Sequence, residues 1–284
     1  MARIAYIDGQ YMPLSEAHVN VEDRSYQFSD GVYEVFALRD GHLIDEEAHF
    51  DRLDRSLSEM SIPAVMSRQA MRLVVRETIR KNAVTSGVVY LQISRGVAPR
   101  NHIYPDGLKP VLIITVRPQQ KDAINRLKCE GIAVVSHPDQ RWARCDIKSI
   151  SLLPNILARQ SAKQAQAQEA WLLDGNGFVT EGAATNAWIL SAEGTLVTRP
   201  SGADILPGIT REILLQVIKG QGLNFVERPF TLDEAFEAQE AFSTASTMTI
   251  FPVVSIDGQK IGSGLPGSLT LQLFDAYEKY SIKS

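Results

Sequence analysis

Val32-Tyr33-Glu34-Val35-Phe36-Ala37-Leu38-Arg39-Asp40-Gly41-His42-Leu43-Ile44 is the stretch from which the fold is read. Its first part is rich in β-branched and aromatic residues, and Asp40-Gly41 is a hairpin dipeptide with His42 to Ile44 as the returning strand. Directly after it the period changes. His49, Leu53, Leu57 and Met60 recur at helical spacing until Pro63. Hairpins followed by helices, rather than a regular strand–helix alternation, point to an α+β fold.

Working outward, residues 3–6 alternate as a strand and end at the turn Asp8-Gly9. A second helix is expected from the N-cap Ser67 to about Asn82. Residues 88–94 and 111–116 read as strands. They flank the long loop 95–106, rich in Gly and Pro, and such loops are usually functional or disordered. The polar stretch 119–125 follows Pro118 and marks the expected boundary between a domain of residues 1–120 and one of 121–284. In the second part, strands are expected at 132–136, 170–173, 187–190 and 225–228. Helices are expected at about 154–168 and from Ile209-Thr210 to Lys219. Asp174-Gly175-Asn176-Gly177 and Asp257-Gly258 read as turns.

Composition narrows the function classes. The chain has 284 residues, a length suited to two domains or one large one. Apolar residues make 44% and charged residues 22%, which excludes a disordered tail, a fibrous repeat and a coiled coil. The net charge is 29 − 33 = −4, which gives no electrostatic footprint for nucleic acid. Apolar runs such as Val111-Leu112-Ile113-Ile114 fall far short of the ~20 residues that cross a bilayer, so no membrane role is expected. Residues 1–12 carry Asp8 and no apolar core of a secretory signal. Two cysteines, Cys129 and Cys145, make no disulfide framework, and with five histidines they argue against a metal site. A reducing cytoplasm is the expected compartment. No Gly-x-Gly-x-x-Gly follows a strand and no P-loop is present.

Four local features carry possible chemistry. Lys148 lies between the apolar Ile147 and Ile150, and an amine stripped of water is a better nucleophile toward carbonyls. An ordinary surface lysine with a snorkelling head fits the same stretch. Glu181 is followed by small residues, Gly182-Ala183-Ala184, which let a flat group approach the backbone; a solvated loop acid reads the same way. Leu206-Pro207-Gly208-Ile209-Thr210 places a glycine and a hydroxyl at a helix start, where free N–H groups form an anion cradle or a plain cap. Ser243, Thr244, Ser246 and Thr247 are a similar cluster of hydroxyls, and Arg52 adds a charge suited to phosphate. Arg100-x-His102 sets two donors on the long loop, suited to a carboxylate or simply solvated. Together, a lysine for an aldehyde, an acid for a pyridine nitrogen and a cradle for a phosphate describe pyridoxal 5′-phosphate.

Several blocks in order then carry a family resemblance. They run from Glu22 to Glu34, from His49 to Leu53, from Arg95 to His102 and from Arg141 to Ser149. Val179 to Gly182 with Asn186, and Leu206 to Arg211, complete them. The sequence resembles the class IV aminotransferases, the fold type IV pyridoxal phosphate enzymes, and within them the D-amino acid aminotransferase branch. The resemblance implies a two-domain α+β fold with the cofactor between the domains. It implies that Lys148 joins the cofactor aldehyde and shuttles the proton, and that Glu181 pairs with the pyridine nitrogen. Arg52, Ile209, Thr210 and Ser246 match the groups on the phosphate, and Leu206 matches the leucine packed on the ring. Tyr33, Arg100 and His102 match the trap for the substrate carboxylate, with Thr247 beside the substrate. In the family the arginine and histidine come from the neighbouring subunit, which implies a homodimer.

The implied activity moves the amino group of a D-amino acid, such as D-alanine or D-glutamate, to a 2-oxo acid by ping-pong chemistry. A branched-chain L-amino acid or (R)-amine aminotransferase of the same fold would share Lys148, Glu181 and the cradle, and Arg100-x-His102 argues against it. A lyase acting on aminodeoxychorismate would need no amino acceptor. A binding protein with a vestigial site is disfavoured by the joint presence of Lys148, Glu181 and Arg52. The pattern departs from the family at Ala245, Ala183 and Ala184, where relatives carry small hydroxyl residues.

Overall fold

The computed structural model describes residues 3–119 and 121–281. The chain divides into two compact units, Met1–Gln120 with Ile147–Ser151, and Lys121–Asp146 with Leu152–Ser284. Gln120, where the expected boundary falls, lies outside the described residues. The sequence reading assigned Lys148 to the C-terminal domain. Its segment instead belongs to the first unit, because Tyr33 N donates to Lys148 O at 3.0 Å and Ile150 N to Gly31 O at 3.1 Å.

Among the described residues, the first unit holds a six-stranded antiparallel sheet. Its strands are β1 (Ile4–Ile7), β2 (Gln10–Pro13), β3 (Gly31–Arg39), β4 (His42–Leu43), β5 (Gly87–Ser94) and β6 (Val111–Pro118). Their spatial order is β2-β1-β6-β5-β3-β4. The hairpin at Asp40-Gly41 forms as expected, with φ of 47° and 86°, the positive pair that a tight two-residue turn requires. Helices α1 (Arg24–Phe28), α2 (Glu46–Glu59) and α3 (Arg68–Asn82) accompany the sheet. Ser67 caps α3 by accepting from Ala70 N at 3.2 Å. α2 packs on β3, and α3 on β1 and β6. The core gathers Val32 and Phe36 of β3 with Phe50, Leu53, Leu57, Val75, Leu91 and Ile114. Period two puts Glu34 on that same inward face, and it is fully buried.

The second unit holds a nine-stranded mixed sheet among its described residues. Its elements are α4 (Lys121–Glu130), β7 (Ile132–Pro138), α5 (Leu153–Gln164), β8 (Glu169–Leu173), β9 (Val179–Gly182), β10 (Asn186–Leu190) and β11 (Leu196–Thr198). α6 (Ile209–Gly220), β12 (Phe225–Glu227), α7 (Leu232–Phe236), β13 (Glu240–Ala245), β14 (Thr249–Ile256), β15 (Gln259–Lys260) and α8 (Ser268–Ser281) follow. The order is β12-β11-β10-β13-β14-β7-β8-β9, with β15 on β14. Buried Ala158 and Ala162 let α5 lie close on β8, and α8 covers α6 and β14.

Three further expectations differ from the structure. The stretch read as a polar boundary opens helix α4, whose Leu127 packs on the core of its unit. The helix expected to reach residue 168 stops at Gln164, and Gln166 takes a φ of 60°, which ends it. Ser243 and Thr244 lie inside strand β13 rather than in a cradle. No helix among the described residues is long and apolar enough to cross a membrane.

Candidate functional site

In the first unit, residues 147–151 lie antiparallel to the start of β3, with a bridge between Val32 and Ser149. Ile147 is buried in the core, which anchors the segment. Lys148 N donates to Ser56 Oγ of α2 at 3.4 Å. The Lys148 Nζ sits 4.3 Å from the centre of the Tyr33 ring. Two residues singled out in the sequence are thus brought together. Tyr33 lies on the sheet face opposite Glu34, beside Tyr90 at 5.7 Å between ring centres.

Arg52 is buried on the inner face of α2. Its Nε donates to Glu34 Oε1 at 2.7 Å and its Nη2 to Oε2 at 2.8 Å. His49 Nδ1 lies 2.7 Å from the same carboxylate. Burial pushes the Glu34 carboxyl up, but the Arg52 charge and the hydrogen bonds from Arg52 and His49 outweigh it, so Glu34 stays far below the usual range. Burial pushes His49 below its ordinary value against the pull of Glu34, and because an ionised carboxylate only accepts, Nδ1 is the donor of the pair. The sequence reading includes Glu34 and His49 in its blocks but gives neither a role. Their signals were the period-two match of Glu34 with Val32 and Phe36, and the one-turn spacing from His49 to Arg52.

Arg100 and His102 are both exposed on their loop. They meet at Phe28, with the Arg100 guanidinium 4.7 Å and the His102 ring 5.4 Å from its ring centre.

In the second unit, Glu181 is buried on β9. Arg141 Nη1 donates to its Oε1, Asn186 Nδ2 to Oε2 at 2.9 Å, and Leu206 N to Oε1 at 3.1 Å. Burial pushes the carboxyl up to about 7, against the pull of Arg141. Arg141 is in turn held by Asp139, at 2.7 and 2.9 Å, and by Asp204 O at 3.1 Å. Asp139 has no place in the sequence reading, and Arg141 opens one of its blocks without a role. Asn186 stands in one of the sequence blocks, and the structure gives it a second contact, Nδ2 to Leu206 O at 3.0 Å.

That bond ties Glu181 to the start of α6. Gly208 is its N-cap and offers no side-chain cap. A Cβ on Gly208 would lie 1.9 Å from Asn186 Oδ1, so the position admits only glycine unless Asn186 moves. Ile209 and Thr210 follow, both buried, and the Thr210 Oγ1 has no hydrogen-bond partner among the described residues. Ser246 and Thr247 sit half-buried in the turn from β13 to β14. Ser243 and Thr244 do not join them as cradle groups: their hydroxyls accept from the indoles of Trp171 at 2.9 Å and Trp188 at 3.2 Å.

Lys148 thus lies along the antiparallel sheet of the first unit, and in the second unit the buried Glu181 is tied to the glycine-led start of α6. The chain belongs to the family amino-transferase class IV, whose sequence profile matches residues 31–256. It is 41% identical over 263 residues to the D-alanine aminotransferase of Bacillus licheniformis, covering 93% of this chain and 92% of that one. It is 36% identical over 278 residues to the D-alanine aminotransferase of Staphylococcus haemolyticus, covering 97% and 96%. Among solved structures, the branched-chain amino acid aminotransferase of Escherichia coli superposes with a TM-score of 0.90 at 25% identity, covering 99% of this chain and 95% of that one. The fold is the α+β fold of that family.

Proposed function

We propose that the chain is a pyridoxal 5′-phosphate-dependent D-amino acid aminotransferase that passes the amino group of D-alanine or D-glutamate to a 2-oxo acid. The Arg100–His102 pair at Phe28 carries the reading, in a chain whose relatives include D-alanine aminotransferases along nearly its whole length. The structural likeness to branched-chain enzymes reflects a fold that both activities share.

The residues present fit the cofactor. A buried hydroxyl without a partner, Thr210 Oγ1, stands at a helix start whose dipole favours an anion. A buried carboxyl near neutrality, Glu181, suits a basic ring nitrogen. Ile209, Thr210 and Ser246 would hold the phosphate with Arg52, and Leu206 would pack on the ring. When bound, the cofactor supplies the aldehyde that takes the amino nitrogen and the ring that accepts electrons from Cα.

The protein's own groups do the rest. With the cofactor bound, Lys148 Nζ would hold its aldehyde carbon at rest and, once the incoming substrate amine displaces it, would take the proton from Cα, a role worth about 10²–10⁴-fold. Glu181, ionised, keeps the proton on the ring nitrogen. Tyr33, Arg100 and His102, with Thr247 alongside, bind and orient the substrate carboxylate and so select the enantiomer that turns its Cα–H toward Lys148. We place Arg100 and His102 across a homodimer, each loop serving the partner's active site. With both cysteines free, we place the enzyme in a reducing cytoplasm.

The test is the visible absorption of the holoenzyme on adding D-alanine, L-leucine or 1-phenylethylamine. Bleaching by D-alanine, reversed by 2-oxoglutarate, supports the reading. Bleaching by L-leucine alone moves the assignment to a branched-chain enzyme. A visible band that persists unchanged in Lys148→Ala would overturn the role of Lys148.

A further inference from the structure

The loop that carries Arg100 and His102 is pinned from inside the first unit by a buried cluster. Asp30 stands between Ser29, which has a φ of 54°, and Gly31, the first residue of the strand that bears Tyr33. Its carboxylate takes Arg24 Nε at 2.8 Å and Arg95 Nε at 2.8 and 3.0 Å. Both arginines are buried. Burial pushes the Asp30 carboxyl up, and the hydrogen bonds from Arg95 and Arg24 outweigh it, leaving it below its ordinary value. Arg95 spends its remaining donors on Ser61 O at 3.1 Å and Met60 O at 2.8 Å.

Arg24 spends its own donors on the loop. Nη1 donates to Asn101 O at 2.6 Å and Nη2 approaches His102 O at 3.4 Å. Arg24 N also donates to Gly96 O at 3.0 Å. Its guanidinium lies 4.7 Å from the centre of the Phe28 ring, the ring that Arg100 also contacts. One planar fork therefore fixes the main chain at and beside His102, and one ring backs both exposed side chains. A lysine could not reach Asp30 and two carbonyls at once.

We propose that Arg24, oriented by Asp30, is a positioning residue for the substrate carboxylate: it fixes the main chain of residues 101 and 102 so that Arg100 and His102 present their donors as a pair. The proposal rests on the carboxylate-trap reading of Arg100 and His102 given above. It gives Arg24 no contact with substrate.

The experiment measures the donor half-reaction of the holoenzyme by its absorbance change, as a saturating rate and as a second-order rate constant. The variants are Arg24→Met, Arg24→Lys and Asp30→Asn, each alone and in an Arg100→Ala/His102→Ala background. Displacement of a binding group by about an ångström can cost about 10²-fold. Arg24→Met should therefore lower the second-order constant about ten- to hundred-fold and leave the saturating rate nearly intact. Arg24→Lys should recover part of the loss. In the background lacking both trap residues, Arg24→Met should change nothing further, because its only route to the substrate is gone. An equal loss in both backgrounds, or a loss of stability with unchanged kinetics, overturns the proposal. Should Arg24→Met fail to fold, Asp30→Asn decides the matter by the same comparison, with a smaller loss expected. If wild type rejects D-alanine but uses another amino acid, the substrate reading fails, and the Arg24 comparison is made with that donor.

Discussion

Arg52 and Glu34 form a two-pronged ion pair, at 2.7 and 2.8 Å, wholly inside the first unit. With two of its nitrogens committed to Glu34, the guanidinium is held in one orientation rather than left to sweep the surface. Removing one partner of a buried pair leaves the other uncompensated, a cost of about 3–5 kcal/mol. Glu34→Gln should therefore lower unfolding stability by that order and weaken cofactor binding through a loosened Arg52. Glu34 is held below its ordinary value of 4.5, so its contribution is complete above that pH and is lost as the pH falls below it. Thermal unfolding from pH 3 to 7 checks both points. A variant with an unchanged acid limb would show that the pair does not hold this region together.

Glu181 behaves in the opposite sense. Its folded value of about 7 lies above the ordinary 4.5. Between those values the folded protein without cofactor binds the extra proton, so stability is greater at the acid end and falls as the pH rises toward 7. The slope is at most about 1.4 kcal/mol per pH unit. Glu181→Gln should flatten it in the cofactor-free protein. With cofactor bound, the same change should lower the saturating half-reaction rate more than it lowers cofactor affinity. A parallel loss of rate and affinity would mean that Glu181 only anchors.

Thr210 carries a buried hydroxyl with no partner among the described residues. An unsatisfied buried polar group costs about 1–3 kcal/mol, and valine has nearly the shape of threonine without that cost. Thr210→Val should therefore stabilise the cofactor-free protein by about 1 kcal/mol while weakening cofactor binding about ten-fold. Unfolding curves of the cofactor-free protein and a cofactor titration separate the two effects. A variant less stable in both states would mean that the hydroxyl is already satisfied.

Much of this was legible in the sequence, and the limits have physical causes. The Asp40-Gly41 turn and the Ser67 cap depend on neighbours a few residues away, and both formed as read. Ile147 and Ile150 marked the Lys148 segment as apolar, and Ile147 does enter the core. Which unit that core belongs to depended on hydrogen bonds to distant β3, which no local pattern announces. The same holds for Glu34, Arg141 and Asp30, whose importance lies in long-range partners rather than in spacing. Ser243 and Thr244 illustrate the converse. Their composition suggested a cradle, but two tryptophans on other strands had already engaged them.

Gly208 offers the sharpest test of the link between the helix start and Glu181. A methyl group there would press on Asn186 Oδ1, whose side chain is held through Nδ2 by Glu181 and Leu206 O. Asn186 must turn away to make room, and its two hydrogen bonds go with it. Gly208→Ala should therefore lower the melting temperature and weaken cofactor binding about ten-fold or more, although the backbone at Gly208, with φ of −69°, suits alanine. The cause is the clash and not the backbone, so it should vanish when the obstacle is removed. In an Asn186→Ala background, Gly208→Ala should cost little more than Asn186→Ala alone, a non-additivity that a double-mutant cycle on cofactor affinity reads directly. Full additivity would place the damage elsewhere in α6 and break the proposed connection between the cradle and the acid.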